Sequence, residues 1–305
     1  MNCFFEMNNV SVYYGDVLAL KNISLQINKG DFIGLLGSNG AGKSTLINSI
    51  VALQEIHSGE IEYCDQDLIA SSQPFTCLGF TPQTTVIDFY TTVKDNIMLG
   101  LNLAGKFGKD AEMLCQAALE IMGLADKSEN LVETLSGGQL QRVQIARAIA
   151  HDPDFYILDE PTVGLDTESA EKFLIYLKEK SAEGKTIIIS SHDINLLEKF
   201  CEKILFLKNG SLSFLGDIHD FVDNSTIKLN FSILDEVSQY QIDFLESYRF
   251  KVFVESNSSF MIEVPIDENI LDIINEIGKI FKITNFSTAK STLQESYLKR
   301  IGGEK

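Results

Sequence analysis

The sequence has no apolar run long enough to cross a bilayer and no excess of basic residues. Its 305 residues contain 43 Asp and Glu against 25 Lys and Arg, a formal net charge of −18. Because a spanning helix needs about 20 mostly apolar residues, we expect membrane attachment to come through another protein. A nucleic-acid groove needs clustered Lys and Arg. The charge therefore argues against nucleic acid, and against direct electrostatic binding to anionic lipid.

Targeting and cysteine signals are also missing. The N-terminus has no basic-then-apolar signal peptide, so we expect the protein to stay in the cytosol. The five cysteines contain no C-x-x-C pair and are predicted to be reduced and mostly buried thiols. They are Cys3, Cys64, Cys77, Cys115 and Cys201.

A glycine-rich loop between an apolar strand and a helix organises the chain. The strand is predicted over Phe32–Leu36, and Gly37–Ser44 then fits the phosphate-loop pattern G-x-x-x-x-G-K-[ST]. Glycines let the backbone wrap closely around phosphate oxygens, and the helix N-terminus adds partial positive charge. The predicted nucleotide-binding residues of this loop are Gly37, Ser38, Asn39, Gly40, Ala41, Gly42, Lys43, Ser44 and Thr45. Lys43 is predicted to reach the β- and γ-phosphates, and the Ser44 hydroxyl to ligate Mg²⁺.

An aromatic residue precedes this loop. Tyr14 stands just before Gly15, after a strand predicted over residues 10–14. Its ring could stack on an adenine, since an aromatic face favours a base face. A tyrosine that merely packs on the sheet is the alternative, and Tyr13 is the neighbouring candidate.

The region from about 84 to 134 is predicted to be a helical subdomain inserted into the α/β core. Val93, Ile97 and Leu101 recur about one turn apart, and a second helix is predicted over Ala111–Met122. Gln83 ends the short strand that precedes this subdomain.

A second helix N-terminus follows at Leu135-Ser136-Gly137-Gly138-Gln139. Ser136 and Gln139 have the spacing of a capping box, and two glycines leave the first N–H groups uncovered. This pattern predicts a second anion-binding helix start. A capped helix without a ligand is the alternative.

Polar residues end the next two predicted strands. The apolar run Phe155–Leu158 ends in Asp159 and Glu160, and the strand over 186–190 ends before His192. Adjacent carboxylates at the end of a buried strand need a cation or a reaction to serve. We assign Asp159 to Mg²⁺, Glu160 to the attacking water and His192 to the γ-phosphate. A solvated acidic pair is the alternative reading for the carboxylates. The remaining histidines, at 57, 151 and 219, are interpreted as surface residues.

The pattern restarts after residue 216, where the first domain (1–216) is predicted to close. Residues 217–305 are predicted to form a small α+β domain in the order β-α-β-β-α-β, as in ferredoxin-like folds, with strands that include Thr226–Phe231 and Ile280–Ile283 and helices that include Leu234–Glu246. A terminal helix is predicted from Thr292 to Ile301. This domain shows no catalytic constellation.

These motifs resemble the ATP-binding subunits of ABC transporters along the first domain. Gly37–Ser44 resembles Walker A, Phe155–Glu160 resembles Walker B with its catalytic glutamate, and Leu135–Gln139 is identical to the LSGGQ signature. Gln83, Asp166 and His192 are similar to the Q-loop, D-loop and switch residues, and Tyr14 to the aromatic A-loop residue. The fold implied is an α/β P-loop NTPase with an inserted helical subdomain.

The resemblance implies ATP and Mg²⁺ as cofactors and a head-to-tail dimer. Each ATP would lie between one subunit's phosphate loop and the other's Ser136, Gly137, Gly138 and Gln139, with Asp166 also contributing. Glu160, His192 and Gln83 would be the catalytic residues, and Ser44, Gln83 and Asp159 would hold the metal. The second ATPase subunit is expected to be an identical copy.

The same resemblance implies a separate membrane permease as partner, with this chain peripheral on the inner face of the membrane. The tail over Thr292–Arg300 resembles the drug, antibiotic and sodium export branch, which favours export. The alternative is a soluble ABC ATPase with a non-transport role, and the net charge disfavours it when the target is a ribosome or DNA. A non-hydrolysing regulatory subunit is disfavoured by the intact Glu160 and His192.

Overall fold

The computed structural model describes residues 3–63, 76–84, 86–247 and 250–302. Cys64 therefore lies outside the described residues, as does Thr85 of the predicted helical subdomain. The chain divides into two compact units, the first ending at Ile218 and the second beginning at His219.

The described residues of the first unit form nine strands. They are β1 (Cys3–Tyr14), β2 (Val17–Asn28), β3 (Phe32–Leu36), β4 (Ser58–Tyr63), β5 (Leu78–Thr81), β6 (Phe155–Leu158), β7 (Thr186–Ser190), β8 (Lys203–Lys208) and β9 (Ser211–Asp217). Six of them form one sheet in the order β5-β6-β7-β3-β8-β9, parallel except for the edge strand β9. Every residue of β3, β6 and β7 is buried, as expected for parallel strands covered on both faces.

The helices of this unit connect and cover the strands. They are α1 (Lys43–Ile50), α2 (Val93–Leu103), α3 (Gly108–Ile121), α4 (Gly137–Ile149), α5 (Thr167–Ala182) and α6 (Ile194–Phe200), followed by the short α7 (Ile218–Phe221) where the two units divide. Among the described residues, no helix combines the length and the apolarity that a bilayer crossing requires.

Strands β1, β2 and β4 form a separate three-stranded antiparallel sheet in the order β2-β1-β4. It packs on the central sheet through aromatic rings: the Phe4 and Phe5 centroids lie 5.0 and 5.7 Å from that of Phe155 on β6. The central strand β1 is longer than the run predicted over 10–14. Burial of Phe4 and Phe5 explains why β1 begins well before the alternating segment.

The predicted helical region is present, and it extends further than expected. Val93, Ile97 and Leu101 are fully buried on one face of α2, as their spacing predicted. Helix α2 contacts α3 and also α4, which follows the LSGGQ pentapeptide. The helical layer therefore continues beyond residue 134 into the helix that returns the chain to the central sheet.

The second unit is a four-stranded antiparallel sheet with helices. Its elements are β10 (Thr226–Ile233), α8 (Gln239–Ser247), β11 (Lys251–Ser256), β12 (Ser259–Pro265), α9 (Ile270–Gly278), β13 (Ile283–Lys290) and α10 (Leu293–Gly302). The sheet order is β11-β12-β10-β13, and up to β13 the element order is the predicted β-α-β-β-α-β.

Two boundaries in this unit differ from the prediction. The strand predicted at Ile280–Ile283 is wrong, because the backbone N–H groups of Ile280 and Phe281 donate to Ile277 O at 3.0 and 2.9 Å and continue the turn after α9. Phe281 is buried in the core there. The strand begins at Ile283 and is largely polar and exposed, so hydrophobicity did not mark it. Helix α8 likewise starts at Gln239, five residues later than predicted.

Candidate nucleotide site

The loop between β3 and α1 has the backbone that its glycines predict. Gly42 adopts φ 101° and precedes the first residue of α1, a conformation that favours glycine. A Cβ on Gly42 would lie 2.8 Å from Leu20 Cδ2, and one on Gly37 would lie 2.8 Å from the carbonyl oxygen of Leu207. Side chains are therefore excluded from both positions, and the loop backbone is held close against β2 and β8.

Lys43 begins α1 and folds back over this loop. Its Nζ donates to the carbonyl oxygens of Gly37 at 2.7 Å and Ser38 at 3.3 Å. Burial lowers the pKa of Lys43, while the nearby Glu160 and Asp159 carboxylates oppose the shift. The ammonium group thus lies at the loop beside two carboxylates, where an added anion would meet a fixed cation.

The sheet register brings the ends of β3, β6 and β7 together. Asp159 follows β6, and its Oδ2 accepts a hydrogen bond from Ser44 Oγ at 3.0 Å. Its Oδ1 accepts one from Ser190 Oγ at 2.6 Å. The carboxylate is buried, so these two hydroxyls fix the orientation of its oxygens at the foot of the loop.

Glu160 lies next to Asp159 and faces His192. Its Oε2 accepts a hydrogen bond from the backbone N–H of His192 at 3.1 Å, and its Oε1 lies 3.4 Å from His192 Nε2. Burial raises the pKa of Glu160, while His192 acts in the opposite direction. A raised pKa makes a carboxylate a better proton acceptor.

An open pocket joins the phosphate loop to these carboxylates and to the aromatic candidate. Of the predicted residues, Tyr14, Asn39, Gly40, Gly42, Lys43, Ser44, Thr45, Gln83, Asp159, Glu160 and His192 line it. Tyr14 is 48% exposed, whereas the Tyr13 ring packs 4.9 Å from the ring of His57. The structure therefore places Tyr14, and not Tyr13, at this pocket. Of the remaining loop residues, Ala41 is buried in the core beneath the loop, and Gly37 and Ser38 contribute the carbonyls that Lys43 contacts.

The LSGGQ residues and Asp166 are not part of that pocket. Ser136 caps α4 through the predicted capping box, with Ser136 N donating to Gln139 Oε1 at 2.9 Å and Gln139 N to Ser136 Oγ at 3.4 Å. Ser136 and Gly137 are exposed. Asp166 caps α5 by accepting from Ser169 N at 2.9 Å, and its Oδ2 pairs with Arg142 Nη2 at 2.6 Å. Within one chain, these residues form a second polar surface away from the phosphate loop.

Sequence reasoning missed the side chains that hold Gln83 in place. Gln144 on α4 is 1% exposed. Its Oε1 accepts from the backbone N–H of Val86 at 2.6 Å, and its Nε2 donates to the carbonyl of Pro82 at 2.9 Å. Arg147 also donates to the Val86 carbonyl. The only sequence signal that Gln144 is buried was its position between the apolar Val143 and Ile145.

The histidine reading was wrong at one position. His151 follows α4 and is 7% exposed, and burial lowers its pKa to about 4. Its place in a turn between elements does not make it a surface residue, because its side chain is buried.

Fold and site together define a P-loop nucleotide-binding protein. The loop excludes side chains where phosphates would approach the backbone, and Lys43 supplies a cation. Ser44 Oγ and Asp159 Oδ2 supply neighbouring oxygen ligands, which are of the kind that Mg²⁺ prefers. The residues present therefore fit a magnesium nucleotide.

Comparison with known proteins gives the family. Residues 20–163 match the family model "ABC transporter". The chain is 35% identical over 226 residues to the manganese transport system ATP-binding protein MntB of Halalkalibacterium halodurans, covering 72% of this chain and 88% of that protein. It is 31% identical over 291 residues to the methionine import ATP-binding protein MetN 4 of Oceanobacillus iheyensis, covering 92% and 77%.

Solved structures agree. The dimeric post-hydrolysis structure of the ATP-binding cassette MJ0796 bound to ADP and Pi superimposes with a TM-score of 0.64 at 30% identity, covering 70% of this chain and 98% of that one. The chain belongs to the ATP-binding proteins of ABC transporters, and it is an ATPase with ATP and Mg²⁺ as its cofactors.

Proposed function

We propose that the chain is the subunit that couples ATP hydrolysis to a separate membrane permease, working as a head-to-tail dimer at the cytoplasmic face of the membrane. The observation that supports the dimer is the position of the LSGGQ helix. Ser136 and Gly137 begin a 13-residue helix with an exposed N-terminus, while the phosphate loop pocket contains none of residues 136–139. The two anion-binding N-termini, those of α1 and α4, do not meet within one chain. They would form a shared site when a second copy of the chain faces the first.

Each site residue then has a role in the proposed reaction. Lys43 and the loop N–H groups bind phosphate oxygens, Tyr14 stacks on the base, and Ser44, Asp159 and Gln83 hold Mg²⁺. When bound, ATP would supply the γ-phosphoryl group, and Mg²⁺ would neutralise the negative charge that develops on it. Glu160 accepts a proton from the attacking water, and His192 keeps the Glu160 carboxylate oriented through the two contacts described above.

In the proposed dimer, the second polar surface of one subunit faces the nucleotide that is bound by the phosphate loop of the other. Ser136, Gly137, Gly138 and Gln139 of one subunit would contact the γ-phosphate bound by the other, and Asp166 would lie between them. Loss of the γ-phosphate would remove the charge that joins the two surfaces, so hydrolysis would open the dimer. The helical layer, which contains both α2 and the LSGGQ helix α4, would carry this motion to the permease.

The predicted export role gains no support from the relatives named above, since one of them is named for import and none for export. We propose uptake instead. The match to the methionine import protein covers 92% of this chain, so it extends into the second unit that begins at His219. This favours a small amino acid as cargo over a metal ion, because the match to the manganese system covers 72%.

Co-purification tests the permease assignment. Tagged protein carrying Glu160→Gln would be recovered from gently solubilised membranes with and without ATP. We expect an integral membrane protein in near-equal amount. Recovery of soluble complexes or ribosomal components alone would contradict the permease assignment and favour a soluble ABC ATPase.

Reconstitution tests direction and cargo. The recovered permease and this ATPase would be placed in liposomes with ATP enclosed on the ATPase side, and labelled methionine or Mn²⁺ added outside. ATP-dependent accumulation of methionine is expected. Accumulation of Mn²⁺ would overturn the cargo assignment, and ATP-driven loss of preloaded cargo would overturn uptake.

A further inference from the structure

One buried hydroxyl contacts both acidic residues of the site, the side chain of Asp159 and the backbone of Glu160. Ser190 is the last residue of β7 and is fully buried. Its Oγ donates to Asp159 Oδ1 at 2.6 Å and accepts the backbone N–H of Glu160 at 2.8 Å. The strand pairing explains the contact, because Leu158 on β6 lies opposite Ile189 on β7, so the next residues of the two chain segments, Asp159 and Ser190, lie side by side.

The Glu160 backbone needs such support. Glu160 has φ 54°, in the left-handed region that is unfavourable for a residue with a side chain. Residues in such conformations persist where surrounding contacts over-determine them. Here the backbone N–H of Glu160 is bound by Ser190, and its side chain is bound by the N–H of His192. Two residues of one segment therefore fix both ends of Glu160.

The Asp159 carboxylate is fixed from two sides as well. Ser190 binds Oδ1, while Ser44 of the phosphate loop binds Oδ2. Without the Ser190 contact, Ser44 alone among the described residues would hold this carboxylate by a side-chain hydrogen bond, and the carboxylate could rotate about its terminal torsion, which is broad.

We propose that Ser190 is a positioning residue for the ATPase reaction. Its single hydroxyl sets the Asp159 carboxylate toward the metal position and holds Glu160 in the left-handed conformation that turns its side chain to His192. This inference rests on the proposed roles of Asp159 and Glu160. Groups that orient metal ligands typically change metal affinity or activity by about 10- to 100-fold when removed.

The test compares Ser190→Ala with Ser190→Thr and Thr186→Val. Thr retains the hydroxyl. Thr186 lies on the same strand, is equally buried and accepts a hydrogen bond from Gly30 N at 3.2 Å, so Thr186→Val deletes a comparable hydroxyl remote from the site. Two readouts are taken: steady-state kcat and KM for ATP, and affinity for a fluorescent ATP analogue with and without Mg²⁺.

For Ser190→Ala we expect kcat to fall about 10- to 100-fold and the KM for ATP, measured with Mg²⁺, to rise. The gain in nucleotide affinity on adding Mg²⁺ should shrink, while the affinity without Mg²⁺ stays as in wild type. Ser190→Thr should restore both. Thr186→Val should lower the melting temperature without either effect.

Three outcomes would overturn the proposal. The first is a wild-type kcat and Mg²⁺ response in Ser190→Ala. The second is a loss of activity that in both Ser190→Ala and Thr186→Val simply follows the fall in melting temperature. The third is a Ser190→Thr variant that is folded yet as impaired as Ser190→Ala. Failure of the proposed function looks different, because the wild-type protein itself would then neither bind the analogue nor hydrolyse ATP.

Discussion

Gly138 and Gly164 lie in direct backbone contact. A Cβ placed on Gly138 would be 2.3 Å from the carbonyl oxygen of Gly164, a separation that real side chains do not show. Gly164 itself has φ 78°. The start of the LSGGQ helix therefore packs directly on the turn that leads to Asp166.

Replacing Gly138 by Ala should disrupt this contact. Because the clashing atom is backbone, the segment around Gly164 must shift, and we expect an unfolding free energy lower by roughly 1–3 kcal/mol and strongly reduced turnover. Melting temperature and steady-state ATPase rate measure these effects. Gly137→Ala is the steric comparison, since its Cβ would meet nothing within 4 Å. A Gly138→Ala protein that melts like Gly137→Ala would contradict the close contact.

Glu160→Gln should separate hydrolysis from binding. The amide preserves the shape of the side chain but accepts no proton, so turnover should fall about 100-fold or more, while ATP affinity stays near wild type. An ATP-dependent dimer should accumulate, measured by size-exclusion chromatography with light scattering.

Lys43→Ala provides the opposite control, because it should weaken nucleotide binding and yield no dimer at the same ATP concentration. Wild-type turnover in Glu160→Gln would remove Glu160 from the proton-accepting role.

The two adjacent tyrosines make a matched pair. Tyr14 lines the pocket, whereas Tyr13 packs on His57. Stacking of a base on an aromatic ring is worth about 1–3 kcal/mol, so Tyr14→Ala should weaken ATP binding about 5- to 150-fold. Tyr13→Ala should change it little, and Tyr14→Phe should keep most of the affinity. Titration with a fluorescent ATP analogue measures all three, and equal losses at both positions would count against the stacking role.

The parts of the site that the sequence predicted are those encoded locally. The phosphate loop, the Asp159–Glu160 pair and the capping box at Ser136 each depend on a few consecutive residues whose conformations follow from glycine, strand burial or capping. The phosphate loop and the Asp159–Glu160 pair meet at one edge because the carboxyl ends of parallel strands lie together.

The missed features depend on contacts between distant residues. Gln144 is 58 and 62 residues from its partners Val86 and Pro82, and Ser190 is 31 from Asp159. No local pattern marks a buried glutamine or serine as a bridge. The exposed edge strand β13 was missed for a related reason, since backbone pairing to β10, and not apolar alternation, defines it.

Gln144→Leu should impair hydrolysis more than binding. The change keeps the side-chain volume similar but removes the hydrogen bonds to the Val86 N–H and the Pro82 carbonyl, each worth about 0.5–1.5 kcal/mol. Gln83 lies between these two anchor points, so we expect turnover to fall about 10-fold, as for other lost orienting contacts, and the Mg²⁺ requirement to rise.

Gln141→Leu removes a buried glutamine one turn earlier on the same helix and serves as the control. Wild-type Mg²⁺ dependence in Gln144→Leu would show that Gln83 does not rely on the Gln144 contacts.

His151 should give the first unit an acid-dependent loss of stability. Its pKa is about 4 in the folded chain against 6.5 for an ordinary histidine, so below pH 6.5 the unfolded chain binds a proton that the folded chain does not. The free energy of unfolding therefore falls as pH drops from about 6.5 to about 4, by roughly 3 kcal/mol in total at 1.36 kcal/mol per pH unit. His151→Leu should abolish this part of the pH dependence, measured by urea unfolding between pH 7 and pH 4.

The exposed His219 is the control, because His219→Gln should leave the slope unchanged. An unaltered slope in His151→Leu would mean that the protonated imidazole is accommodated in the folded chain.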